Sequence, residues 1–360
     1  MRATERPTRK HLLALTAAAT ATLLAACSTG GGDDQAAEET DTVVLVTHSS
    51  FNVPDEVLAA FTDQHGYTVD VQAAGDAGEL TNRLVLTKNS PLGDAVFGID
   101  NTFASRVVDE QILAEHTPET LPQGAERYVL DDADAAARLT PIDQGDVCVN
   151  IDDTWFADND VAPPATLEDL TKPAYEGLFV TPGAATSSPG LAFLLATIAE
   201  YGEDGWQDYW ERLMDNGTKL TSGWTDAYTV DFTAGGGDGD RPIVLSYASS
   251  PPFTVPEGGD EPTTSALLDT CFRQVEYAGV IEGAANPEGA QALVDFLVGE
   301  EFQASLAENM YVFPVSEEVE LPEEWARFAG VAEDPYDLDP ALIAENRDTW
   351  LQQWGEVVTR

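Results

Sequence analysis

Positive charge is scarce in this 360-residue chain: 17 Lys and Arg stand against 64 Asp and Glu, for a formal net charge of −47. So acidic a surface repels phosphate backbones, which excludes nucleic acid as a partner. It favours a cationic ligand through the summed field, but solvated acidic faces serve solubility or a salty exterior equally well, so charge alone names no ligand. Cysteine is nearly absent, with Cys27, Cys148 and Cys271 the only three. The four histidines, His11, His48, His65 and His116, are scattered, and no CxxC or HExxH spacing occurs, so no metal site is expected. There is no GxSxG elbow and no Walker loop; the glycine run 235–239 carries an aspartate and no lysine. Long apolar runs are missing except at the start of the chain.

That start is informative. Arg6, Arg9 and Lys10 precede an apolar stretch, 11–26, that is short for a membrane span and reads as the core of a secretory signal, 1–26. It ends in Leu24-Ala25-Ala26-Cys27, which resembles the lipobox of bacterial lipoproteins. The resemblance implies a diacylated Cys27 as the new N-terminus and a protein tethered to the extracytoplasmic face of the cell membrane. Residues 27–41 are rich in Gly, Ala, Asp and Glu, too poor in apolar surface to offset their ordering entropy, and read as a flexible tether. With Cys27 lipidated, Cys148 and Cys271 remain as an even pair in an oxidising compartment, where a disulfide is expected. Each lies in an alternating, strand-like stretch.

From residue 42 onward the pattern alternates strands and helices, as in a sheet covered by helices. Strands are expected at 42–46, 68–72, 94–98, 178–180, 243–247 and 272–280, and around Cys148. Helices are expected at 54–65, 79–88, 191–201, 206–214, 287–298 and 340–354, several opened by Pro or closed by Gly. The expected fold is α/β and two-lobed, with mixed sheets and a ligand cleft between the lobes. Lobe 1 is expected over 42–145, lobe 2 over 146–270, a return to lobe 1 and hinge over 271–318, and C-terminal helices over 319–360.

Ligands in such folds sit near strand ends and helix starts, and four constellations qualify. Thr186-Ser187-Ser188-Pro189-Gly190 opens an apolar helix and offers hydroxyls and amides to an anion such as phosphate, although by itself it reads more readily as a plain helix start. Gly223-Trp224-Thr225-Asp226-Ala227-Tyr228 puts two aromatics on one helical face, a pattern more common in cores than at ligands. Leu245-Ser246-Tyr247-Ala248-Ser249-Ser250-Pro251-Pro252-Phe253 is an apolar strand ending in hydroxyls and aromatics, so Tyr247 and Phe253 could sandwich a flat ring while Ser249 or Ser250 binds its polar edge. Gly75-Asp76-Ala77-Gly78 turns between strand and helix, and Asp76 could offer a carboxylate to a cation or amine. His48, at a strand end, reads more readily as a hydrogen-bonded core histidine than as a ligand contact.

Together, and in this order, these segments resemble the thiamine-binding proteins of ABC importers, which belong to the two-lobed periplasmic binding-protein superfamily. Asn82-Arg83-Leu84, Gly98-Ile99-Asp100-Asn101 and Tyr311 with Phe313-Pro314-Val315 add to the match, which spans most of residues 43–354. The resemblance implies that Asp76 meets the cationic vitamin and that Ser187 lies by its hydroxyethyl or phosphate end. Trp224, Tyr247, Phe253 and Tyr311 would frame the rings, with His48 standing where relatives can carry tyrosine. It further implies a monomeric, non-enzymatic protein without a cofactor, delivering thiamine or its phosphates to a membrane permease and its ATPase. Two rivals share the fold: a thiaminase-like enzyme with Cys148 as nucleophile, and a polyamine or ferric-ion receptor.

Overall fold

Residues 42–47, TVVLVT, are β-branched or leucine throughout, as befits a strand buried within a parallel sheet, and they form β1 (Thr42–Thr47). The computed structural model describes residues 41–360, which lie in one compact unit. The expected secretory signal, Cys27 and nearly all of the expected tether lie outside the described residues. A helix, Asp55–His65, follows β1, closed by Gly66 in the left-handed conformation, and the chain then enters β2 (Thr68–Ala73), parallel to β1. After the helix Ala77–Thr87 comes β3 (Ala95–Asp100), parallel to β1 on its other side.

The pivot of the fold is β4 (Thr140–Asp152), thirteen residues with every position buried. Half-burial was expected around Cys148, but β4 has neighbours along both edges and cover on both faces. The later strands are β5 (Phe179–Pro182), β6 (Lys219–Thr221), β7 (Ile243–Tyr247), β8 (Thr264–Ala266), β9 (Phe272–Val280) and β10 (Phe313–Pro314). They join one mixed sheet in the order β2-β1-β3-β9-β4-β7-β5-β6, with β8 and β10 also pairing with β4. The centre is antiparallel: β9 pairs with β3 and with β4, and β4 pairs with β7. Two parallel wings flank it, β1 to β3 on one side and β5 to β7 on the other. At Val147, β4 changes neighbours, facing Phe272 of β9 and Tyr247 of β7. The two wings therefore meet along one continuous strand.

Cys148 and Cys271 form a disulfide across 123 residues of sequence, beside that exchange of partners. It is shielded by Ala248, Ala266 and Ala332. Next to it Arg273 Nε and Nη2 donate to the two oxygens of Asp146, at 2.8 and 3.0 Å, and Asp146 also accepts the Ala332 N–H. The bond ties β4 to the start of β9. It also removes the free thiol that a nucleophilic Cys148 would need. The last helix, Pro340–Val358, reaches both wings: Trp354 meets Trp210 edge-on at 5.6 Å, and the Arg347 guanidinium lies 5.7 Å from the Phe103 ring centre. Among the described residues no helix is long and apolar enough to cross a membrane.

Candidate functional site

Where the wings meet, a pocket is lined by His48, Ser50, Asp76, Ala77, Ser188, Pro189, Trp224, Tyr247, Glu276, Met310 and Val312. Four of the expected site residues line it: His48, Asp76, Trp224 and Tyr247. Ser187, Ser249, Phe253 and Tyr311 do not, although each lies close behind it.

One wall is aromatic. Gly223 and Trp224 stand at the start of a tight turn, and the wide helical turn that follows, Asp226–Asp231, brings Tyr228 parallel to the Trp224 ring at 5.1 Å. Tyr311 meets Trp224 edge-on at 5.5 Å, and Tyr247 is tilted to it at 6.4 Å. Hydroxyls behind the wall fix its orientation: Trp224 Nε1 donates to Ser246 Oγ at 2.9 Å, which lies 2.8 Å from Ser250 Oγ, itself accepting the Tyr247 N–H. Of the two rings expected to sandwich a ligand, Tyr247 lines the pocket and Phe253 does not. Tyr311 ends the short helix Leu306–Met310 in the left-handed conformation, φ +64°, and its ring stacks on Phe253 at 3.5 Å. Ser249 Oγ donates to the Tyr311 carbonyl. Ser249 thus positions an aromatic residue rather than facing the pocket.

The other wall is acidic. Asp76 caps the helix Ala77–Thr87, its Oδ1 accepting from Ala77 N at 2.7 Å and from Ser188 N at 3.3 Å. Its Oδ2 accepts from Trp224 N at 2.9 Å. The sequence pattern offered this carboxylate to a cation, but in the structure three main-chain N–H groups already occupy it. Two of them belong to the opposite wing, so Asp76 is a clasp across the cleft. Burial pushes its pKa up against the opposing pull of those amides. Gly223 is required here, because a Cβ at that position would fall 2.7 Å from Asp76 Oδ2.

The helix Ser188–Tyr201 does begin at Ser187, as the Ser-Pro pattern implied, with the Ser187 hydroxyl turned inward toward Gly190 N at 3.5 Å. Its first turn leaves little for an external anion. Ser188 N is used by Asp76, Pro189 has no N–H, and Leu191 N bonds the Ser187 carbonyl. The anion at this helix start is the protein's own carboxylate. Ser188 Oγ meanwhile donates to Asp100, whose buried carboxyl is pushed up to about 6, chiefly by desolvation.

His48 is 7% exposed and packs on Phe97 at 5.5 Å between ring centres. Its Nδ1 accepts the Ser50 N–H, which assigns the proton to Nε2, 3.5 Å from Glu276 Oε1. Burial pulls its pKa down, but Glu276, Asp76 and Asp100 outweigh that and the net direction is up. Gly98, at φ +101°, makes room for the ring, since a Cβ there would meet His48 Cδ2 at 2.2 Å. Behind Glu276, in register across β4 and β9, lies Asp143, fully buried. Burial, then the charge of Glu276 and a side-chain hydrogen bond with it, raise its pKa well above the ordinary carboxylate range. Sequence reasoning did not single out Glu276, Asp143 or Ser246; the signal available was a glutamate inside the apolar stretch Val275-Glu276-Tyr277-Ala278.

Residues 56–333 match the family of bacterial extracellular solute-binding proteins. The chain belongs to that family. The thiamine-binding periplasmic protein of Escherichia coli K12 is 26% identical over 309 residues, covering 84% of this chain and 88% of the relative. That of Brucella suis is 27% identical over 329 residues, covering 89% and 93%. The iron uptake protein A1 of Synechocystis is more distant, 22% identical over 326 residues and 83% of both chains. Among solved structures, a periplasmic thiamin binding protein superposes with TM-score 0.74 at 24% identity, covering 89% of this chain and 96% of that one. A ferric binding protein from Campylobacter jejuni superposes with TM-score 0.67 at 19% identity, covering 88% and 99%. These likenesses carry the two-lobed binding-protein fold. As a solute-binding protein of an ABC importer, the chain serves transport and is not an enzyme, in keeping with its relatives.

Proposed function

We propose that this solute-binding protein captures thiamine and delivers it to its permease and ATPase, held at the extracytoplasmic membrane face by a lipid on Cys27. The observation that carries the reading is one pocket lined both by the aromatics Trp224 and Tyr247 and by the acids Asp76 and Glu276. Thiamine joins a flat aminopyrimidine to a permanently cationic thiazolium. Aromatic faces supply stacking and cation–π attraction, and the acidic side balances charge. The thiamine-binding relatives support the same ligand. The occupied first turn of the helix Ser188–Tyr201 favours the free vitamin over its phosphates, because a phosphate would have to displace Asp76 from Ser188 N. The distant iron-uptake relative favours a ferric reading; a ferric site wants clustered tyrosines, and this pocket's lining holds one, Tyr247.

Isothermal titration of the purified protein with thiamine, its mono- and diphosphate, and ferric citrate tests the reading. Saturable binding with free thiamine tightest is expected. Absence of binding to every thiamine form, or tighter binding of iron, overturns it.

A further inference from the structure

We infer that Glu276, on β9, is the side chain that meets the ligand's positive charge directly, while Asp76 serves to clasp the two wings. This rests on the thiamine reading and assigns the charge-recognising group within that site. Both acids line the pocket. Asp76 already holds three main-chain N–H groups, from Ala77, Ser188 and Trp224, across its two oxygens. Glu276 receives no such amide. Its nearest cationic or N–H group is His48 Nε2, at 3.5 Å, too far for a hydrogen bond, and that nitrogen is itself buried without a partner. Full protonation of His48 would not close the gap freely, because Nδ1 would have to give up the Ser50 N–H it accepts. The residue in register behind Glu276, Asp143, is itself an acid and supplies no positive charge.

The pocket floor therefore holds a nearly buried glutamate and an unsatisfied imidazole nitrogen side by side, facing the Trp224 wall. Leaving such groups without partners is costly, and a flat ligand carrying positive charge or N–H donors supplies what they lack. A neutral ring of the same shape would stack on Trp224 yet bring Glu276 no positive charge. Charge selectivity belongs to β9, and closure belongs to the Asp76 turn.

The test compares wild type, Glu276→Gln, Glu276→Asp and Asp76→Asn by titration calorimetry with three probes: cationic thiamine, its flat neutral oxidation product thiochrome, and spermidine. Wild type should prefer thiamine to thiochrome. Glu276→Gln should weaken thiamine by about 10- to 100-fold while thiochrome changes by less than about threefold. Glu276→Asp, which keeps the charge, should keep the preference. Asp76→Asn should weaken thiamine and thiochrome by similar factors. Equal losses for thiamine and thiochrome in Glu276→Gln, or a preference for the cation that survives it, overturns the inference even though thiamine still binds wild type. If wild type ignores thiamine but binds spermidine in a Glu276-dependent way, the thiamine reading falls and the charge assignment stands. Binding of none of the three overturns both.

Discussion

The aromatic wall of the pocket is braced from behind, Trp224 by Ser246 and Tyr311 by Ser249, and its rings lean on one another at 5 to 6 Å. The acidic side is unevenly furnished: Asp76 accepts three main-chain N–H groups, while Glu276 accepts none and His48 Nε2 stops 3.5 Å from it. The contrast shows how the site divides its work. Stacking needs a rigid surface in place before the ligand arrives, so the rings are locked by hydroxyls and by each other. Charge recognition needs groups whose partner is the ligand, so some polar atoms stay unmet until it binds.

The largest expected break in this comparison is Trp224→Ala. Trp224 is 9% exposed and belongs to the main hydrophobic core, so its loss should cost about 3 to 5 kcal/mol of stability as well as ligand affinity. The sequence pattern left core and cleft both open for Trp224, and the structure places it in both. Thermal unfolding and titration of Trp224→Ala beside Trp224→Phe check this, since Phe keeps a stacking face and gives up only the bond to Ser246.

Removing the disulfide by paired Cys148→Ala and Cys271→Ala should cost about 2 to 5 kcal/mol through the freed unfolded chain. The bond lies outside the pocket, so the ratio of thiamine to thiochrome affinity should hold. Denaturant titration gives the first quantity, calorimetry the second. A changed ratio would mean that the brace between β4 and β9 also tunes the acidic wall.

Acidity sharpens the comparison from the other side. The Asp100 carboxyl stands at about 6 when folded against an ordinary 3.8, so the folded state holds its proton more tightly than the unfolded state. Stability from this group is therefore fully present below pH 3.8, declines as pH rises to about 6, and is flat above, a change of about 3 kcal/mol at most. His48, also raised, adds a decline in the same sense, complete only once pH has risen through its folded value. Urea unfolding from pH 4 to 8 should show the fall, and Asp100→Asn should flatten its acidic part.

Asp76→Asn exchanges one amide-accepting oxygen for an NH2 group and should cost about 1 to 3 kcal/mol of closed-state stability, read as a lower melting temperature and a more open cleft by small-angle scattering. The smallest effect belongs to Ser249→Ala. Loss of its single hydrogen bond to the Tyr311 carbonyl should cost about 1 kcal/mol, with a modest loss of thiamine affinity as the Phe253 and Tyr311 pair loosens.

Much of the fold could be read along the chain because local patterns carry it. The β-branched run of β1, the Pro-opened helices and the Gly66 cap all agree with their tertiary surroundings. Residues 243–247 and 272–280 were expected as strands and are strands to the residue. The short β6, β8 and β10 were not legible, since two or three residues hold an extended form only because a neighbouring strand bonds them. Within the site, Trp224, Tyr247 and Asp76 were legible as aromatic and acidic residues at loop and strand ends.

The order of elements, the alternation of strand and helix and the aromatic identity of one pocket wall followed from the sequence itself, because they depend on residue type and spacing. Which acid faces a ligand did not. Asp76 and Glu276 differ little as isolated residues, and their roles part only because folding brings Ser188 N and Trp224 N, 112 and 148 residues away, onto the one and no amide onto the other. Hydrogen-bond satisfaction is a property of what long-range packing places within 3 Å of an atom, so the tertiary structure alone could assign the clasp to Asp76 and the open carboxyl to Glu276.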